Sequence, residues 1–132
     1  MLSEMKLIFV IACIFHAVFA RKLESEVIDG WEALVAPYLD ECVRITEVDP
    51  DVPRTIFRNN HLPNETTFHC FLHCVFHKQG MITSENLLDQ TRMLEGIPSL
   101  TAELAQTCIE GTKGGKELCK RIYDLVGCIL ND

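Results

Sequence analysis

Between Ser25 and Ile45 the apolar positions Val27, Trp31, Leu34, Val35, Tyr38, Cys42 and Ile45 recur every three or four residues, the period of one helical face. Pro37 has no amide proton and crowds the preceding turn, so it predicts a kink or a split within that helix. From Val48 to Asn60, Pro53 opens a short helix through Arg54-Thr55-Ile56-Phe57 and Asn59-Asn60 closes it. Pro63-Asn64-Glu65 begins the next, with Asn64 as a candidate N-cap, and the helix runs to Gln79 before Gly80 stops it. Ser84 then predicts the cap of a helix through Glu85 to Leu94, with Leu87, Leu88 and Thr91 facing inward and Gly96 and Pro98 as breakers. Leu100, Leu104, Ala105 and Cys108 mark a helix within Ser99 to Ile109, which the glycine-rich segment Gly111-Thr112-Lys113-Gly114-Gly115 ends. The last helix spans Lys116 to Ile129, with Leu118, Ile122, Leu125, Val126 and Ile129 on its face and Cys119 and Cys128 flanking. No stretch sustains the alternation of a strand, so the expected class is all-α, about six helices.

The first residues do not belong to that pattern. Lys6 precedes the apolar run Leu7 to Val18, and Val18-Phe19-Ala20 supplies the small residues of a signal-peptidase site. The run is about a dozen residues, short of the roughly 18 to 20 that a spanning helix needs. Residues 1–20 are therefore expected to be a secretory signal cleaved after Ala20, and residues 21–132 a single domain with one modest core. Lys6 and Glu4 leave together with the signal, so the net charge stays at −7. Lys116, Lys120 and Arg121 are interleaved with Glu117 and Asp124, and no basic patch suits nucleic acid. The acidity fits solubility in extracellular fluid.

Of the seven cysteines, Cys13 lies in the signal, which leaves Cys42, Cys70, Cys74, Cys108, Cys119 and Cys128. An even set in an exported chain of this size reads as three disulfides; no CxxC pair offers zinc a thiolate site. Cys70 and Cys74 stand one turn apart on one helix, so each must reach a different helix. Fifteen pairings are open at this point. The spacing Cys42-x27-Cys70-x3-Cys74-x33-Cys108-x10-Cys119-x8-Cys128 resembles that of the insect odorant-binding proteins of the pheromone and general odorant-binding family. The x3 and x8 intervals and the run Cys70-Phe71-Leu72-His73-Cys74-Val75-Phe76-His77-Lys78-Gln79-Gly80 carry the likeness, which covers the whole mature chain. It implies the interlocked pairs Cys42–Cys74, Cys70–Cys119 and Cys108–Cys128, and helices around an internal hydrophobic cavity. It also implies a carrier that binds odorants, pheromones or similar lipophilic molecules and moves them through aqueous fluid to chemosensory receptors.

Phe68, Leu72 and Val75 share a helical face flanked by Phe71 and Phe76, and such a face is either plain core or ligand wall. With the resemblance, the expected lining is Trp31, Phe57, Phe68, Leu72, Phe76, Leu87, Met93, Leu104, Ile122 and Val126, with His77, Tyr38, Tyr123 or Thr91 as hydrogen-bonding partners for a ligand alcohol or carbonyl. His69, His73 and His77 fall at i, i+4 and i+8, a stripe that reads as a pH sensor, a metal-chelating pair or an exposed polar strip. No HExxH motif supports a metal site, and none is expected. Asn64-Glu65-Thr66 is an N-glycosylation sequon whose asparagine competes with its reading as a helix cap. Four residues follow Cys128, too few for the long tail that enters the cavity at acidic pH in some members of the family, so Leu130 is expected in a short lid or a simple helix end.

Catalysis is not expected, and no cofactor is. A phospholipase A2-type site needs a His-Asp pair and a glycine-rich calcium loop, and neither His73 nor His77 has an adjacent Asp. A toxin or other secreted interaction protein would use the same staples to present aromatics outward, whereas these aromatics fall on inward faces. The expected partner is a small apolar or amphipathic organic ligand, with a chemosensory membrane receptor and a second copy of the chain as further candidates. A carrier of non-odorant lipids is the alternative within the same scaffold.

Overall fold

The computed structural model describes residues 6, 8, 25–59, 61–114 and 117–131. The cleavage site expected after Ala20 lies outside them. Residues 25–35 form α1. Its helical path tightens into a 3-10 turn at Ala36–Tyr38, where Pro37 sits in the first turn, and resumes as α2, Leu39–Thr46. The proline therefore splits the element, as its missing amide requires. Glu47 ends α2 in the left-handed conformation with φ 58°.

Helix α3 spans Asp51–Asn59 and buries Pro53, Ile56 and Phe57. Helix α4, Thr66–Lys78, is apolar around its circumference, burying Phe68, His69, Phe71, Leu72, Cys74, Val75 and Phe76. A helix hydrophobic on all sides belongs at the centre of a bundle. It packs most extensively on α7, Leu118–Leu130, and next on α2. Phe68, Phe71 and Phe76 are almost wholly excluded from water, and truncating any one to alanine costs about 3–5 kcal/mol by analogy with other cores. Gln79 caps the helix and Gly80, at φ 74°, turns the chain away.

The stretch after Gly80 departs from expectation. Residues 84–89 are not helical; Ile82 and Leu88 instead form an isolated antiparallel bridge across a turn. The Thr83 hydroxyl accepts from the amides of Glu85 and Leu87 at 3.3 and 3.1 Å, and Asn86 adopts φ 61°. Local side-chain bonds of this kind compete with helix. Helix α5 begins only at Gln90–Gly96, capped by Asp89, whose carboxylate accepts from the Arg92 amide at 3.1 Å. Leu87, expected to face inward, is 58 % exposed at the turn, and Thr91 is exposed as well.

Helix α6, Ala102–Gly111, is capped by the Thr101 hydroxyl rather than started at Ser99, and α7 by the Glu117 carboxylate. Disulfides join Cys42 to Cys74, Cys70 to Cys119 and Cys108 to Cys128, so α4 is tied to α2 and α7, and α7 also to α6. The pairing implied by the family resemblance is the one observed. Among the described residues no strand beyond the single bridge interrupts this all-helical, disulfide-stapled fold.

Candidate functional site

A cavity of about 520 Å³ lies between α1, α3, α7 and the segment joining α3 to α4. From α1 come Val27, Ile28 and Trp31; from α3, Ile56 and Phe57; from the connection, His61 and Leu62. Helix α7 contributes Tyr123, Asp124, Gly127, Leu130 and Asn131. The volume falls in the range of pockets that hold small organic molecules. The Trp31 and Phe57 rings stack with centroids 5.5 Å apart, giving one wall a continuous aromatic surface. On α7, Gly127 leaves open space: a Cβ built there meets nothing within 4 Å.

The polar groups of the site are organised around Tyr123. Its hydroxyl donates to the Leu62 carbonyl at 2.9 Å, pinning the connecting segment to α7. Lys120 lies 4.5 Å from the centre of the Tyr123 ring and pairs with Asp124 at 3.1 Å. Behind Tyr123, the His69 ring sits 4.3 Å away and its Nε2 donates to Asn64 Oδ1 at 2.9 Å. Burial, and then the nearby Lys120 charge, hold the His69 imidazole below its ordinary pKa. His69 thus serves as a buried hydrogen-bonding group, not part of an exposed strip.

Trp31 and Phe57, of the residues expected to line a pocket, stand in the wall of this cavity. Phe68, Leu72, Phe76, Met93, Ile122 and Val126 are instead fully or almost fully buried in the core, and Leu104 packs partly buried against it. His77 is exposed and lies with His73 in a second, more open depression of about 460 Å³, together with Ile45, Thr46, Cys70, Cys74 and Lys78. The His73 Nε2 atom is buried there without a hydrogen-bond partner among the described residues. Its pKa is lowered by burial and then by His77. Tyr123, expected to bond a ligand, is in the wall, but its hydroxyl is committed to Leu62.

Asn64 does not cap α4: Glu65 is the N-cap and makes no side-chain cap bond. Cys70, Glu117 and Cys119 bring ligand atoms close together, but both sulfurs are bonded to each other, which leaves no thiolate for a metal.

Sequence reasoning missed Val27, Ile28, Ile56, His61, Leu62, Asp124, Gly127 and Asn131 as wall residues. On α7 the usable signal was the stripe next to the most hydrophobic one. Ile122, Leu125, Val126 and Ile129 go to the dry core, and stepping one residue, about 100° round the helix, reaches Tyr123 and Gly127.

Residues 27–132 match the model of the PBP/GOBP family. The general odorant-binding protein 69a of Drosophila melanogaster is 31% identical over 93 residues, which cover 67% of this chain and 62% of that relative, so the match spans less than two thirds of the relative's length. The crystal structure of a pheromone binding protein from the cockroach Leucophaea maderae, in complex with the fluorescent reporter 1-anilinonaphthalene-8-sulfonic acid, superposes with a TM-score of 0.65 at 18% identity. That superposition covers 79% of this chain and 96% of the cockroach chain.

Proposed function

The chain belongs to the PBP/GOBP family, and on that premise we propose that it is an extracellular carrier of small hydrophobic molecules, odorants, pheromones or similar lipids, which it takes up between α1, α3 and α7 and transports through aqueous fluid to chemosensory receptors. Residues 1–20 act as the export signal in this reading. The observation that carries it is the cavity of about 520 Å³ whose wall includes the stacked Trp31 and Phe57 rings. The curated relative is named for odorants and the cockroach neighbour holds an aromatic reporter, and both favour a ligand of that kind here.

Uptake is non-covalent. An apolar body leaving water for the wall formed by Val27, Ile28, Trp31, Ile56, Phe57 and Leu130 gains roughly 25 cal/mol per Å² of apolar area buried. His61, Asp124 and Asn131 give the same wall polar groups, so an amphipathic ligand can keep its head hydrogen-bonded. The expected affinity is micromolar, about 8 kcal/mol.

Trp31 is the single tryptophan of the chain, which makes the site self-reporting. Titrating the mature, oxidised protein with 1-anilinonaphthalene-8-sulfonate should quench Trp31 emission as the reporter brightens, and a panel of apolar volatiles should displace it. A protein that neither binds the reporter nor changes its Trp31 emission with any volatile does not carry such ligands.

A further inference from the structure

We infer that Asn64 carries an N-linked glycan on the exported protein. Asn64-Glu65-Thr66 is the one Asn-x-Ser/Thr sequence in the chain, with no proline at the middle position. The inference rests on the export part of the carrier reading, because the transferring enzyme works in the secretory lumen. A helix-capping asparagine would have given the motif an ordinary structural explanation, and α4 is not capped by it.

The geometry of Asn64 suits the modification. Its side chain is exposed in the non-helical segment 61–65, and its single hydrogen bond among the described residues uses Oδ1, which accepts from His69 Nε2 at 2.9 Å. Glycan transfer takes the other amide atom. The sugar, donated by a lipid-linked oligosaccharide diphosphate, forms a bond from its C1 to Nδ2 as the C1–oxygen bond to the diphosphate breaks. The lipid diphosphate leaves with the electron pair and the amide loses one proton. Oδ1 remains unsubstituted, so the bond to His69 forms in the glycosylated chain as it does here. Thr66, whose hydroxyl the transferring enzyme must recognise, is exposed in the first turn of α4.

The sugar therefore stands two residues from Leu62, whose carbonyl Tyr123 holds and whose side chain belongs to the cavity wall. It covers the outside of the connecting segment with a hydrated polymer and leaves the apolar wall bare.

The test is to express the whole chain with its own leader in cultured insect cells and map the protein recovered from the medium by mass spectrometry. The expected result is a hexose and N-acetylhexosamine mass on the peptide containing Asn64, lost in both Asn64→Gln and Thr66→Ala and kept in Thr66→Ser. Thr66→Ala matters because it leaves Asn64 and its bond to His69 in place. Secreted wild-type protein with a bare Asn64, or a glycan that persists in Asn64→Gln, overturns the inference while leaving the carrier reading intact. A chain that stays in the cytosol with its leader uncut overturns both.

Discussion

Gly127 is in the middle of α7 and in the wall of the cavity, a position where backbone economy and cavity space oppose each other. Glycine inside a helix costs roughly 0.5–1 kcal/mol relative to alanine, and here a methyl group would meet no neighbour. Gly127→Ala should therefore raise stability by about 0.5–1 kcal/mol in urea unfolding. Gly127→Phe should fill the opened volume and exclude 1-anilinonaphthalene-8-sulfonate. An alanine variant less stable than wild type would mean that the space is not open. His73 sets a different expectation. Burial and His77 disfavour its charged form in the folded chain, so on acidification the unfolded chain takes up that proton first, near pH 6.5. The contribution to stability is complete above that pH and is lost as pH falls through the lower folded value. His73→Gln should flatten the fall in melting temperature between about pH 7.5 and pH 5, and an unaltered slope would place the titration elsewhere.

At the scale of the elements, what was legible was what periodicity controls. The face through Val27, Trp31, Leu34 and Val35 is α1, Pro37 divides it from α2, and Gly80 ends α4, because each follows from backbone geometry that a residue type imposes. Two outcomes were not legible from the same signals. Ser84 looks like a cap, yet the Thr83 hydroxyl captures the Glu85 and Leu87 amides first, and the helix waits for Asp89. The cavity, likewise, does not lie where the hydrophobic pattern is strongest. Ile122 and Val126 satisfy that pattern by packing in the core, so the wall falls to residues with a mixed pattern: Tyr123, Gly127 and Asn131, and His61 and Leu62 in a segment with no period at all. Close approach also hides from pattern. A Cβ on Gly30 would lie 2.6 Å from the Pro98 ring, so α1 meets the segment after α5 at a distance that only a glycine permits.

For the whole molecule, the staples matter because space left for a ligand is packing given up. The bonds close separations of 32, 49 and 20 residues, each worth roughly 3 to 4 kcal/mol in the loop-entropy model. Domains hold only about 5–15 kcal/mol in total. Removing the Cys70–Cys119 pair by double alanine substitution should thus lower the unfolding free energy by about 4 kcal/mol, read from the shift of the urea midpoint. A midpoint left in place would show that the helices need no such bond. The same staples are unevenly placed around the cavity. Covalent links grip α7 near both ends, through Cys119 and Cys128, whereas α3 carries no cysteine and α1 none among residues 25–35. Those two helices are clamped to each other by Arg58, which reaches Glu32 at 2.8 Å and Asp29 at 3.3 Å. The two sides of the cavity are thus held by different forces: α7 by two covalent bonds, α1 and α3 by the packing of Trp31, Ile56 and Phe57 and by ion pairs that salt can screen.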